Sequence, residues 1–137
     1  MLKLTDIDTY YGDLQALWGI SLEVKEGEMV SLIGPNGAGK TTSLLSITGL
    51  LRPSNGSILF DGHDLLKVPP YKVVDLGISM VMEGGRVFAG MTVMENLELG
   101  AYGTRARKQR AETVEHVFEI FPRLKERLTQ RAGTLSG

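Results

Sequence analysis

The spacing of apolar and polar positions changes several times along the chain, and each change predicts an element. Leu2, Leu4 and Ile7 open a first strand, and residues 20–24 alternate as a second, ended by the turn Lys25-Glu-Gly-Glu28. Residues 29–33 form a short, purely apolar run of buried-strand type apart from Ser31, followed by a glycine-rich stretch. Residues 40–50 then read as a helix that Gly49 and Pro53 bring to a stop. Ser54-Asn-Gly56 marks a turn, residues 57–60 a strand and Asp61-Gly62 another turn. Proline suits a first helical turn and glycine a last one, which predicts a short helix from Pro69 to Gly77. Residues 78–82 are a second buried-type strand, and 83–91 a loop holding Gly84, Gly85 and Gly90. Thr92 and Glu95 have capping-box spacing at the head of a helix over 93–99. From Arg105 the pattern is helical again: Val114, Val117, Phe118 and Phe121 fall at i, i+3, i+4 and i+7 between charges, and Pro122 opens or kinks the next segment.

Composition narrows the class. A chain of 137 residues has room for one compact domain, and 42% hydrophobic with 23% charged residues is ordinary for a soluble globular protein. The net charge of −1 points to no nucleic-acid partner and no anionic membrane surface. The charge is uneven, however. Residues 1–103 carry 7 basic and 12 acidic groups, residues 104–137 carry 8 and 4, so a basic helical part follows an acidic α/β body. Arg105, Arg107, Lys108 and Arg110 read as a solvated helix start, since a nucleic-acid stripe would interleave aromatics. Without cysteine the chain has no disulfide or thiolate metal site, which fits a reducing compartment. No apolar run approaches the ~18–20 residues that span a bilayer, and no signal core follows Met1. The expectation is a cytosolic chain that meets a membrane only through a partner.

One stretch carries chemistry outright. Gly34, Pro35, Asn36, Gly37, Ala38, Gly39, Lys40 and Thr41 fit G-x-x-x-x-G-K-[ST], after an apolar run and before a predicted helix. Phosphate oxygens must come close to backbone N–H groups, so the glycines leave room where a Cβ would intrude. The helix that follows, with Thr42 in its first turn, turns its positive end toward the anion. Lys40 is the cation for the β- and γ-phosphates, and the Thr41 hydroxyl is a ligand for Mg²⁺. This predicts a nucleoside triphosphate site, with Lys40 as its catalytic cation. The N-K-x-D motif that reads guanine is absent, which favours ATP.

Around that loop the sequence resembles the nucleotide-binding subunit of ABC transporters, in three places. Tyr11-Gly12 looks like the family's aromatic loop, which implies that Tyr11 stacks on adenine, with Tyr10 as the alternative ring. Residues 80–97, Met-Val-Met-Glu-Gly-Gly-Arg-Val-Phe-Ala-Gly-Met-Thr-Val-Met-Glu-Asn-Leu, resemble the Q-loop region and its T-V-x-E-N-L segment. Glu83 stands where the family has Gln. Branched-chain amino-acid importer ATPases characteristically carry P-E-G-R here, from which Met82 and Gly85 depart. The resemblance gives Glu83 a place in the Mg²⁺ shell or beside the attacking water, as a hard oxygen ligand. Leu135-Ser136-Gly137 looks like the start of the L-S-G-G-Q/E signature, whose serine closes over the ATP of the opposite subunit.

The resemblance is strongest to the second ATPase subunit of a branched-chain amino-acid importer. It implies an α/β fold: a P-loop NTPase core with an N-terminal antiparallel β part over 1–91, and the start of a helical subdomain over 92–137. It implies ATP and Mg²⁺, a second ATPase subunit, transmembrane permease subunits, no nucleic acid, and a peripheral place on the cytoplasmic face of the membrane. It also implies elements beyond the signature: an apolar strand ending in Asp, a catalytic Glu and a γ-phosphate-sensing His. Residues 58–61, Ile-Leu-Phe-Asp, imitate that strand, but the turns on both sides suit an antiparallel hairpin instead. His63 reads as a turn residue and His116 as a surface residue. The rival reading is a non-catalytic nucleotide-binding or partner-binding fragment.

Overall fold

The computed structural model describes residues 1–135, apart from the side chains of Thr104 and Arg105. It forms two compact units, Met1–Met80 and a second beginning at Val81. The first is built on strands β1 (Leu2–Tyr11) and β2 (Leu14–Val24), helix α1 (Lys40–Ile47), strands β3 (Asn55–Phe60) and β4 (His63–Asp64), and helix α2 (Pro70–Val73). The sheet order is β2-β1-β3-β4, with every neighbouring pair antiparallel. Alternation along β1, shifted by one residue at Asp6, sends Leu4 and then Ile7 and Thr9 inward, where Leu4 and Ile7 meet Leu17, Ile47, Ile58 and Leu65. Burying each such aliphatic side chain contributes ~1.5–3 kcal/mol.

The sheet is not regular. Asp6 and Ile7 of β1 face the single residue Gly56 of β3, and this bulge puts Asp6 at φ 50°. Gly56 has φ 91°, and a Cβ there would lie 2.4 Å from the Asp6 carbonyl oxygen and 2.5 Å from that of Thr5. A second bulge opposes Trp18 and Gly19 of β2 to Asp8 of β1. The Asp8 carboxylate holds three strands there, accepting from the Gly19 N–H (2.8 Å) and from the side-chain amides of Gln15 (3.2 Å) and Asn55 (3.1 Å).

The Asp61-Gly62 turn has both residues at positive φ, 45° and 81°, as a two-residue hairpin turn between β3 and β4 demands. Asp61 therefore ends a hairpin strand, and its carboxylate pairs with the Met1 ammonium. His63 lies in the short strand β4 rather than in the turn. The predicted helix after Pro69 is α2 continued by a 3-10 turn, Val74–Leu76, and Gly77 at φ 99° closes it.

The two buried-type strands expected at 29–33 and 78–82 do not form. Met29 and Ile33 are 94% exposed and Val81 is 96% exposed. A strand of that kind needs parallel neighbours on its edges and cover on both faces. The strands among the described residues pair only antiparallel with one another, and residues 29–33 and 78–82 join none of them.

The second unit is mainly helical: α3 (Val93–Gly100), α4 (Thr104–Lys108), α5 (Arg110–Ile120) and α6 (Pro122–Lys125). Thr92 and Glu95 complete the capping box of α3. The Glu95 N–H donates to Thr92 Oγ1 (3.2 Å), and the Glu95 carboxylate accepts from the Thr92 N–H (2.7 Å) and hydroxyl (2.9 Å). The chain around the start of α3 is laced to residues beyond α6. The Val93 and Met94 N–H groups donate to Gln130 and Leu128, Ala132 N–H to Met91, and Gly133 N–H to Ala89. On α5, Val114 and Phe118 are buried as the stripe predicts, but Phe121 is exposed. The residue before a proline is driven out of helical conformation, and Phe121 leaves α5 at φ −126°, ψ 70°. His116 is on the surface, paired with Glu119 (3.2 Å).

Gly56 and Gly62 both have left-handed backbones, and alanine separates strain from crowding at the two positions. Gly56→Ala adds a clash with backbone oxygens to the strain of a left-handed residue, whereas Gly62→Ala meets open space. Gly62→Ala is expected to cost ~1–2 kcal/mol and Gly56→Ala more than ~3 kcal/mol. Urea midpoints of the two variants check this, and equal midpoints would show that the bulge yields freely.

The Thr92 N–H, then the Thr92 hydroxyl, hold the Glu95 carboxyl below its ordinary value. A lowered carboxylate pKa adds stability above the ordinary carboxylate range that disappears as pH falls through the folded value. Glu95→Gln should therefore flatten the loss of helical signal on acidification in that range. A circular-dichroism titration with the same slope as the parent would exclude this role for the box.

Candidate phosphate-binding site

The glycine-rich stretch folds as an open loop whose last residue, Gly39, is the N-cap of α1, at φ 88°. No side chain caps this end and no acid lies in its first turn, so the leading N–H groups remain available to an anion. Gly39 is buried, and a Cβ on it would lie 2.5 Å from Leu17 Cδ2 and 3.3 Å from the Ala16 carbonyl. Its lack of a side chain lets β2 press against the loop. The Gly39 carbonyl takes both the N–H (2.8 Å) and the hydroxyl (3.0 Å) of Ser43, which fixes the first turn from below.

Lys40 reaches back across the loop. Its ammonium donates to the carbonyls of Gly34 and Pro35, 2.7 Å each. An ammonium has three donors, so this grip leaves one for an incoming oxygen and fixes where the charge sits. Ala38 N–H donates to Pro35 at 3.2 Å, tightening the same loop around Asn36 and Gly37. Thr41 is exposed at the start of α1, while Thr42 is buried.

The Thr42 hydroxyl lies 3.4 Å from that of Tyr11. One turn on, the Ser46 hydroxyl donates to the Thr42 carbonyl (2.9 Å) and accepts from buried Thr9 (3.2 Å). Thr9 and Tyr11 share a face of β1, and Thr42 and Ser46 share a face of α1, so strand and helix meet along two matched pairs. The Tyr11 ring is half exposed beside the first turn of α1. Tyr10 is on the opposite face of the strand, where its hydroxyl donates to Gln15 Oε1 (2.6 Å). Of the two candidate rings, Tyr11 is the one whose hydroxyl meets the first turn of α1, at Thr42.

Glu83 belongs to the second unit, on an exposed turn followed by Gly84 and Gly85 at φ 83° and 55°. Ser136 lies outside the described residues. The T-V-x-E-N-L segment contains a residue whose role was not visible in its sequence, Asn96. Its Oδ1 accepts from the Phe88 N–H (2.8 Å), and its Nδ2 donates to the carbonyls of Phe88 (3.1 Å) and Thr92 (2.8 Å). The loop after Glu83 is thereby held to α3. Its spacing of four from the cap Thr92 was the available signal.

The geometry fits a triphosphate: a backbone loop, an uncapped helix end, and one fixed cation. It fits Mg²⁺ in a limited way. Magnesium on a nucleotide takes most of its ligands from phosphate and water, needing one or two protein oxygens, and Thr41 offers one.

Comparison with known proteins agrees with this geometry. The sequence pattern of the family described as ABC transporter matches residues 17–137. The chain is 46% identical over its whole length to the high-affinity branched-chain amino acid transport ATP-binding protein BraG of Pseudomonas aeruginosa. It is 33% identical over its whole length to the probable branched-chain amino acid transport ATP-binding protein LivF of Archaeoglobus fulgidus. It spans 58% of the length of each. Among solved structures, one of an ATP-binding subunit of an ABC transporter superposes with a TM-score of 0.83 at 28% identity, covering 99% of this chain and 56% of that one. With its glycine-rich loop, its uncapped helix and its antiparallel sheet, the chain belongs to the ABC transporter family.

Proposed function

We propose that the chain is the nucleotide-binding part of an ATP-hydrolysing subunit that drives transport, and that the cargo is a branched-chain amino acid. The observation that carries the nucleotide reading is the Lys40 ammonium fixed over an uncapped helix start with the Tyr11 ring beside it. Gly34, Asn36, Gly37, Gly39 and Thr42 offer backbone N–H groups to the phosphates, while Pro35, which has none, and Ala38, whose N–H is turned to Pro35, shape the loop. Lys40 places positive charge at the β- and γ-oxygens, where negative charge builds during phosphoryl transfer. Tyr11 takes the base. Magnesium, when bound, would neutralise phosphate charge, and Thr41 would offer it an oxygen.

The names of BraG and LivF support this cargo, as does Glu83-Gly84, which resembles part of the importer pattern. Residues 1–91 form the nucleotide-binding core in this reading and 92–137 the start of the helical subdomain. A second ATPase subunit pairs with this one, and Ser136 contacts that subunit's ATP. Transmembrane permease subunits hold the pair at the cytoplasmic face of the membrane, with the loop 83–90 and the helices after it as their contact. No helix among the described residues is long and apolar enough to cross a membrane itself.

The rival is a fragment that binds nucleotide without turning it over. The exposure of Met29 and Ile33, in a run fit to be buried, favours it for the chain in isolation.

Charge-assisted hydrogen bonds are worth ~1.5–3 kcal/mol, so Lys40→Ala should weaken ATP binding roughly 10–150-fold. Calorimetry with the parent and the variant checks this, and an unchanged dissociation constant would defeat the phosphate-loop reading. Steady-state phosphate release from the purified 137-residue chain should be undetectable. Turnover by a monodisperse monomer would mean that the described residues already hold the catalytic carboxylates, and Asp61 would be the first to replace.

A further inference from the structure

The strand pair that displays Tyr11 is irregular where it matters. Tyr10 pairs with Gln15 but Thr9 pairs with Leu17, so Ala16 is an extra residue on β2. This bulge is the part of β2 that touches the phosphate loop, with the Ala16 carbonyl and the Leu17 side chain against Gly39. One side chain spans it. Gln15 Nε2 donates to the Leu17 carbonyl beyond the bulge (2.9 Å) and to Asp8 Oδ1 (3.2 Å), and its Oε1 accepts from the Tyr10 hydroxyl (2.6 Å). Both amide hydrogens and one oxygen lone pair are used.

We infer that Gln15 is a positioning residue for the nucleotide base: by bridging the Ala16 bulge it sets the distance between the Tyr11 ring and the phosphate loop. The inference rests on the reading of Tyr11 as the base-stacking ring. A nucleoside triphosphate has a limited reach, and both of its ends must be met at once. The phosphate end is fixed by Gly39 and α1. The base end is fixed by a two-residue hairpin, Gly12-Asp13, whose path depends on how the bulge is folded. Extra residues in a ladder bend the strand that carries them. Gln15 holds that bend from one side while Tyr10 braces Gln15 from the other. Tyr10 thereby has a role that is not stacking.

The consequence separates the two ends of the ligand. Loss of the bridge should weaken binding that depends on the base and leave binding of bare phosphates unchanged. The test is calorimetry on the full 137-residue chain with two probes, ATP and inorganic triphosphate, for Gln15→Ala, Tyr10→Phe and Tyr11→Ala. Gln15→Ala is expected to lower ATP affinity about 2–10-fold while triphosphate affinity holds, in line with loss of a neutral hydrogen-bond bridge. Tyr10→Phe keeps the ring and the strand and removes only the bond to Gln15, so it should shift the ATP-to-triphosphate ratio the same way but less, and it remains informative should Gln15→Ala unfold. Tyr11→Ala should shift the ratio most.

Equal weakening of both probes by Gln15→Ala would make Gln15 merely structural and overturn the inference. A ratio that falls in Tyr11→Ala but not in Gln15→Ala or Tyr10→Phe would overturn it too, leaving the stacking role of Tyr11 intact. A ratio unmoved by Tyr11→Ala would overturn both.

Discussion

The first unit depends on the contact between one glycine and one leucine. Gly39 ends the phosphate loop and begins α1, and Leu17 of β2 rests where a Cβ would be. That approach lets Leu17 be both a member of the hydrophobic core and the floor of the loop. Core packing and anion binding are therefore one structural problem here. A bulky residue at 39 would push β2 away, and with it the hairpin that carries Tyr11. The matched pairs Thr9 with Ser46 and Tyr11 with Thr42 are polar, and they have the correct spacing only while that contact keeps β1 and α1 at the same separation.

Much of this was legible in order along the chain, because the strongest signals are local. The phosphate loop needs residue types at fixed offsets, and the cap of α3 needs Thr92 and Glu95 three apart. Both are satisfied by neighbours, so both were readable. The two hairpin turns of the sheet differ in this respect. Asp61-Gly62 stands out between polar and apolar stretches. Gly12-Asp13 does not, because the bulged residues after Leu14 break the alternation, so that β2 is readable only from residue 20 although it begins at Leu14. Residues 29–33 and 78–82 show the limit of an apolar run. Such a run reports that a segment is fit to be buried, while burial itself depends on neighbours far away in sequence. Gln15 and Asn96 were unreadable for another reason. Each acts on backbone groups that only a bulge or a loop brings near, and neither residue type announces that in advance.

The second unit relies on lacing rather than on a large core. Val93, Val114, Phe118 and Ala132 are its buried apolar residues among those described. Around them, backbone N–H groups of residues 93, 94, 132 and 133 cross-link the chain around the start of α3 to the chain after α6, and Asn96 fastens Phe88. Lys125 adds a bond to Glu115 (3.0 Å) and a place over the Phe118 ring, joining α6 to α5. Hydrogen bonds specify geometry more than they add net stability, so a unit made this way has a well-defined shape and modest resistance to opening. Such a balance suits a segment that contains the loop with Glu83.

The bent-back Lys40 has a consequence for the order of events in folding. Its partners, Gly34 and Pro35, are six and five residues away, and the contacts that shape the loop come from adjacent hairpins and one helix. Closing short loops is fast, whereas parallel strand pairing across long separations is slow. The phosphate cradle can therefore take shape while residues 29–33 still lie open to water. Any triphosphate that settles there favours, by mass action, the conformers in which the cradle is already made. A bound triphosphate would then act as a template for the loop that holds it.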